Sequence, residues 1–161
     1  MEEQSPQVSF YVLGEASAGA RLQLVCRLAD KAYRAGQSVL IWHSDPRELA
    51  ALDELLWTFG DDRTFLPHEV LSDVTPHSPA AEGTTAEAER APVLLSTAPV
   101  PAGAIGVLIN LSPSVPPFIE RAARVLEIID GDATRRQDGR ARFKAYRERG
   151  LSPVSHQLRG G

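Results

Sequence analysis

The chain has 161 residues, 43% of them hydrophobic, and a formal net charge of −4. This length and apolar content are sufficient for one domain, 1–161, with a substantial core that needs no disulfide. An acidic chain lacks the extended basic footprint that nucleic-acid binding over a whole surface requires. Residues 1–7 contain no basic segment, and no apolar run reaches the length of a membrane span, so we expect a cytoplasmic protein.

Short apolar runs bounded by glycine, proline or polar residues recur along the chain and predict strands. These runs lie at 8–13, 38–43, 92–97, 106–111 and 124–130. Apolar residues at helical spacing predict one helix from Ser17 to Ala35, ended by Gly36. A second helix is predicted from the capping residue Asp45 to about Trp57. Strands that alternate with crossover helices predict an α/β fold, with a mainly parallel sheet flanked by helices in a Rossmann-like architecture.

The remaining segments are less regular. Residues 72–92 are rich in Ser, Thr, Pro, Ala, Glu and Gly without periodicity, which predicts a long mobile loop. A short helix is predicted at 118–123 and a basic helix within 132–149. Residues 150–161 are polar, and we expect a flexible tail from about residue 152.

The turn after the first predicted strand, residues 14–21, has two glycines at the separation of a phosphate-binding loop. A functional loop needs a lysine for the β- and γ-phosphates and then a serine or threonine for magnesium, whereas Ala20 and Arg21 occupy those positions. Glu15 would also place a negative charge beside the phosphates. We therefore expect a nucleotide-binding-like fold without a functional phosphate loop, a helix capped by Ser17, and no bound cofactor.

The sequence contains no pattern typical of catalysis. The histidines at positions 43, 68, 77 and 156 occur singly, without the spacing of metal ligands. Ser44 and Asp45 follow His43, but adjacency in sequence is not the geometry of a triad, and Asp45 is already the predicted helix cap. The sequence therefore predicts a protein that is not an enzyme and that has neither catalytic residues nor a metal site.

Charge is distributed unevenly along the chain. Residues 132–149 contain seven basic and three acidic side chains, whereas residues 1–131 contain nine basic and eighteen acidic ones. On a helix, spacings of three and four residues place four cations and an aromatic ring along one face. These residues are Arg136, Arg140, Phe143, Lys144 and Arg147. Such a face suits a partner that is acidic and carries an apolar group, and it is equally compatible with a solvated helix surface.

Five segments, in this order and at these separations, carry a family resemblance. They are FYVL at 10–13, LVCRLADKAYRAGQSVLIW at 24–42, LDELLW at 52–57, FLPH at 65–68 and RFKAYRERG at 142–150. Together they resemble the chi subunit of bacterial DNA polymerase III holoenzyme. The resemblance covers most of the chain, and the combination is more specific than any single segment. Residues 72–92 do not resemble a fixed motif of that family.

The resemblance implies a non-catalytic accessory subunit of the clamp-loader assembly, acting in DNA replication. Chi proteins bridge the psi subunit and the acidic C-terminal tail of single-stranded-DNA-binding protein, so their association with DNA is indirect. That tail ends in a phenylalanine that bears the terminal carboxylate and is preceded by aspartates. Resemblance assigns tail binding to Arg136, Arg140, Phe143, Lys144 and Arg147. It assigns psi binding to the end of the second helix and the segment after it, namely Trp57, Phe65, Pro67 and His68.

Alternatives remain at the level of the sequence. Trp57 and the segment 65–68 could be a plug in the core and not an interface. The protein could be a degenerate phosphate-loop protein that binds nucleotide, which thermal stabilisation by nucleotide would reveal. It could also be a direct binder of single-stranded nucleic acid through its C-terminal basic helix, which would bind naked strands with a marked salt dependence.

Overall fold

The computed structural model describes residues 6–14, 18–58, 68–71, 93–97, 105–116 and 119–158. Within these ranges the chain forms seven strands, three α-helices and one short 3-10 helix. In chain order they are β1 (Gln7–Leu13), α1 (Ala18–Arg34), β2 (Val39–Trp42), α2 (Pro46–Thr58), β3 (His68–Leu71), β4 (Val93–Ser96), β5 (Ile105–Asn110), the 3-10 helix (Ile119–Arg121), β6 (Ala122–Ile129), α3 (Ala133–Glu148) and β7 (Val154–Leu158).

The seven strands form one sheet in the order β3-β4-β2-β5-β6-β1-β7. Every described pairing is parallel, with Leu40 opposite Leu108 between β2 and β5, and Val8 opposite Val125 between β1 and β6. Parallel strands are covered on both faces, which is why the central runs are mainly apolar and do not alternate. The prediction of an α/β fold with a mainly parallel sheet flanked by helices is confirmed.

Core packing lies on both faces of the sheet. On one face α1 and α2 bury side chains such as Val25 and Leu52 against strand residues such as Ile109, all with 0% exposure. On the other face α3 packs Tyr146 onto Phe10 of β1, with ring centroids 5.9 Å apart in an edge arrangement. The two opposite faces of the sheet thus support two different helical layers.

The helix ends agree with their sequence signals. Gly36 follows α1 with a φ of +85°, a left-handed conformation that glycine adopts without strain, and its N–H donates to the Tyr33 carbonyl at 2.9 Å. Pro46 occupies the first position of α2, and the Arg47 N–H donates to Asp45 Oδ1 at 2.9 Å. The predicted end of α1 at Gly36 and the predicted cap of α2 are therefore present, whereas the Ser17 cap predicted for α1 lies outside the described residues.

Two strands were not predicted. Residues 68–71 form β3 at one edge of the sheet, and residues 154–158 form β7 at the other edge. The expectation of a flexible tail from about residue 152 is therefore wrong for 154–158. These residues pair in parallel with β1, from Ser9 opposite Val154 to Leu13 opposite Leu158. An edge strand needs little apolar sequence of its own, because its backbone is held by the neighbouring strand.

Other predictions are modified or lie outside the described residues. Of the short helix predicted at 118–123, residues 119–121 form the 3-10 helix, and Ala122 and Ala123 begin β6. The predicted loop at 72–92 and residues 15–17 of the glycine turn are outside the described ranges. No helix within those ranges has the length and apolarity needed to cross a membrane.

Candidate functional site

Helix α3 is fixed at its start by a pair of aspartates. The Asp132 side chain accepts the Arg135 N–H at 2.9 Å and caps the helix. The Arg135 guanidinium also donates twice to the Asp130 carboxylate, both at 2.8 Å. Burial alone would raise the pKa of Asp130, but the bonds from Arg135 and from the Asp132 N–H outweigh it and hold that pKa below its ordinary value. The Asp130–Arg135 ion pair joins the first turn of α3 to the end of β6.

A buried polar cluster fixes the middle and end of the helix. Glu127 of β6, with 0% exposure, accepts from Arg142 Nε at 2.8 Å, from Tyr146 Oη at 2.5 Å and from Asn110 Nδ2 at 2.9 Å. Arg142 Nη1 also donates to the Pro113 carbonyl at 3.0 Å. Because Arg142 and Tyr146 point inward at a spacing of four residues, the cluster sets the rotation of α3 about its axis.

Gly139 brings α3 close to the sheet. A Cβ atom at this position would lie 2.2 Å from Ile129 Cδ1, far inside contact distance, so any larger residue would push the helix from β6 or force Ile129 to move. Gly139 and Ile129 also line a cavity along the outer side of the helix. The fixed rotation and close approach of α3 together produce a groove along that side.

The groove consists of two adjoining cavities, which we call the basic groove. The first, of about 220 Å³, lies between α3 and strands β1, β6 and β7. The second, of about 380 Å³, lies along the outer surface of α3. The first is lined by Phe10, Val12, Ile129, Arg136, Gly139, Arg140, Phe143, Ser155 and Gln157. The second is lined by Arg140, Phe143, Lys144, Arg147 and Glu148.

The structure brings all five predicted tail-binding residues to the basic groove. Arg140 and Phe143 line both cavities, Arg136 lines the first, and Lys144 and Arg147 line the second. The Phe143 ring packs on Phe10 with centroids 5.1 Å apart. In the described part of the chain, no carboxylate pairs with Arg140, Lys144 or Arg147. The groove therefore combines an apolar floor with cations that a ligand can reach.

Sequence reasoning missed the contribution of the sheet to this groove. Phe10 and Val12 alternate along β1, a period-two signal that could have placed them on one face. Ser155 and Gln157 of β7 carry no comparable signal. Arg142 belongs to the same basic run as Arg140, yet it is 6% exposed and bound to Glu127. Nothing near Arg142 in the sequence identifies this partner fifteen residues away.

A second polar cluster lies beyond the carboxyl ends of β2 and β5. Arg21 Nη1 donates to Glu48 Oε1 at 2.8 Å, and His43 Nε2 lies 2.5 Å from the same oxygen. The Asp45 N–H donates to His43 Nδ1 at 3.2 Å, so both ring nitrogens of His43 are engaged. Burial would raise the pKa of Glu48, but the bonds from Arg21 and His43 lower it below its ordinary value.

We call these four residues, Arg21, His43, Asp45 and Glu48, the Arg21 cluster. They include the residues that were considered for nucleotide binding and for catalysis in the sequence. Arg21 stands at the position of the phosphate-loop hydroxyl and is 3% exposed, held by Glu48 and within 3.4 Å of the Leu111 carbonyl. His43 is packed, and Asp45 caps α2. Among the described residues there is no group of His, Cys, Asp and Glu that could hold a metal ion.

The residues assigned to psi binding are only partly described. Trp57, in the last turn of α2, is 58% exposed, which excludes the alternative that its side chain plugs the core. Phe65 and Pro67 lie outside the described residues, and His68 is described only as the first residue of β3. Whether these four side chains lie together therefore stays a prediction.

Residues 6–154 match the model of a protein family described as DNA polymerase III chi subunit, HolC. The chain belongs to this family. A curated relative, DNA polymerase III subunit chi of Pseudomonas aeruginosa, is 35% identical over 94% of this chain and 96% of its own length. The subunit chi of Escherichia coli K12 is 30% identical over 81% of this chain and 80% of its own length. The resemblance proposed from the five sequence segments is confirmed.

Solved structures show the relation of the chi fold to other proteins. The C-terminal domain of the DEAD-box protein Dbp5 superposes with a TM-score of 0.63 and 13% identity, covering 96% of this chain and 91% of that domain. The Saccharomyces cerevisiae Dbp5 C-terminal domain in a further structure gives a TM-score of 0.61 and 12% identity, covering 95% of this chain and 90% of that domain. At these identities the likeness concerns the α/β fold alone.

Proposed function

We propose that this chi-family chain is a non-catalytic accessory subunit of the DNA polymerase III clamp-loader assembly. In this role it bridges the psi subunit and the acidic C-terminal tail of single-stranded-DNA-binding protein during DNA replication. The observation that supports it most is the basic groove, where accessible cations surround an apolar cavity. These are the features that complement an acidic peptide ending in an aromatic residue.

The first cavity suits the terminal phenylalanine of the tail. Phe10, Val12 and Ile129 provide an apolar floor, and Phe143 provides a ring for an offset or edge contact. Burial of one such side chain contributes about 1.5–3 kcal/mol. Arg140 lines both cavities and is placed to donate in a forked manner to the terminal carboxylate of the same residue.

The second cavity suits the aspartates that precede the phenylalanine. Lys144 and Arg147 lie along the exposed surface of α3 and act as point charges toward those carboxylates. Exposed ion pairs contribute about 0.2–1 kcal/mol each, so several of them support the buried ring without replacing it. Each contribution is modest, so we expect a weak complex, with an affinity of about 1 μM that weakens as salt is added.

We propose that psi binds at the opposite edge of the sheet, near β3. Trp57 exposes 58% of its surface at the end of α2, which packs beside the edge strand β3. Exposed aromatic residues are common anchors at the centre of protein interfaces. Strands β3 and β7 are separated by the whole sheet, about 29 Å at the usual strand spacing. Partners at the two edges would therefore not compete for space.

A peptide titration tests the tail-binding half of this function. A synthetic peptide with the final residues of the tail should bind the chain at about 1 μM in calorimetry. The same peptide without its terminal phenylalanine should not bind, because it lacks both the ring and the carboxylate that Arg140 receives. Equal binding of the two peptides would contradict the proposal. Naked single-stranded DNA serves as the control, and tight salt-dependent binding of it would favour direct nucleic-acid recognition.

A further inference from the structure

Strand β7 lies at one edge of the sheet. In the described part of the chain it pairs with β1 alone, and it is the last strand of the sheet. In a strand, alternate residues direct their N–H and C=O groups to opposite sides, so about half of those in β7 point away from β1. Such an edge is able to accept a further strand.

The sequence of β7 contains none of the usual protections of an edge. Its five residues, Val154–Leu158, include no charged side chain and no proline. Val154 is 52% exposed, one of two large hydrophobic residues so exposed in the described ranges. The strand at the opposite edge, β3, carries the charged residue Glu69. Edges without charge, proline or a covering element favour strand addition.

The open edge is continuous with the basic groove. Ser155 and Gln157 line the first cavity, and they pair in register with Phe10 and Val12, which line it as well. His156 stacks on Tyr11 with ring centroids 5.0 Å apart and so belongs to the other face of the sheet. In a strand that pairs with the outer edge of β7, every second side chain would lie on the same face of the sheet as Ser155. These side chains would point toward the cavity.

We propose that the acidic tail binds by strand addition to β7. The backbone of the residues before the terminal phenylalanine hydrogen-bonds to the open edge, and the ring crosses above Ser155 into the first cavity. This inference rests on the proposed function and adds that recognition uses the main chain of the partner as well as its charges. The cations at Arg136 and Arg140 lie on the same side as the cavity, where they face the carboxylates of the added strand.

The test uses synthetic tail peptides in which one backbone amide at a time is N-methylated. An added strand donates through alternate amides, so methylation at every second position should weaken binding by at least about tenfold. Methylation at the positions between should change it by less than about threefold. In parallel, hydrogen exchange at the outward-facing amides of β7 should slow when the unmodified peptide is bound. Amides of β3, at the other edge, provide the matched control and should not change.

The possible outcomes separate this inference from the function on which it rests. If the unmodified peptide does not bind, the proposed function itself fails. If it binds and every methylated peptide binds equally well, the tail uses the groove without strand addition, and this inference is overturned. The β7 amides could instead be protected from exchange without peptide, to a degree that increases with protein concentration. That result would show that the edge pairs with a second copy of the chain, and it would also overturn this inference.

Discussion

The basic side chains on the two sides of α3 have opposite roles. On the inner side, Arg142 and Arg135 each bind a carboxylate at 2.8 Å and hold the helix to β6. On the outer side, Arg140, Lys144 and Arg147 have no carboxylate partner among the described residues. The difference teaches that the number of cations in a helix says little about function. A cation that already forms an ion pair within the protein is not available to a ligand. Only the cations without such a pair can contribute to binding.

The largest effect is expected on the inner side. Glu127→Leu leaves the buried Arg142 guanidinium without its carboxylate and Tyr146 without its acceptor, so the free energy of unfolding should fall by about 3–5 kcal/mol. Urea denaturation measures the change. Adding Arg142→Met to this variant should recover part of the loss, because an apolar pair then replaces the ion pair, while Tyr146 still lacks its acceptor. A cost below about 1 kcal/mol for the single variant would show that the inner pair is not structural.

Charge reversal on the outer side of α3 should have a large effect on peptide binding and a small effect on the free energy of unfolding. Arg140→Glu or Lys144→Glu turns attraction to the acidic tail into repulsion and should weaken peptide binding by at least about 1.4 kcal/mol, a tenfold loss. The free energy of unfolding should change by no more than about 0.5 kcal/mol, since both side chains are exposed. Calorimetry and urea denaturation provide the two measurements. Arg47→Glu on α2 is the control, and glutamate variants that bind like the wild type would mean that the outer face is merely solvated.

The Asp130–Arg135 pair predicts a smaller, pH-dependent effect. Because the pKa of Asp130 is lowered in the folded state, the pair stabilises the protein above the ordinary aspartate pKa. That stabilisation is lost as the pH falls through the lower folded pKa. Asp130→Asn should therefore cost about 1 kcal/mol at neutral pH and progressively less in acid. Urea midpoints of both proteins over an acid pH series test this, and a constant difference at every pH would refute it.

No effect is expected from nucleotides. Arg21 is held by Glu48 where a phosphate loop would present a hydroxyl, so magnesium ATP or GTP should not raise the melting temperature. Differential scanning fluorimetry with and without nucleotide makes the comparison. A reproducible rise would mean that the Arg21 cluster opens for a ligand, and the contrast between paired and unpaired cations would then have to be revised.

The sequence predicted the central sheet and the basic face for the same physical reason. Buried parallel strands are apolar throughout, and a helix face follows from spacings of three and four residues, so both signals are local. The edge strands escaped prediction because β7 is exposed from Val154 to Gln157 and shows no apolar contrast. The pairing of Arg142 with Glu127 escaped because it joins two elements through the fold. The groove was thus predicted from its helical side and not from its sheet side.

The shallow and cationic character of the basic groove also determines how long a partner stays. Electrostatic attraction supports association at about 10⁷–10⁸ M⁻¹s⁻¹. Combined with an affinity of about 1 μM, this gives dissociation at about 10–100 s⁻¹ and a bound lifetime of about 10–100 ms. A tail in this groove would be released and captured again many times each second. Contact with single-stranded-DNA-binding protein would then be continuously renewed, and the protein would not obstruct the movement of either partner.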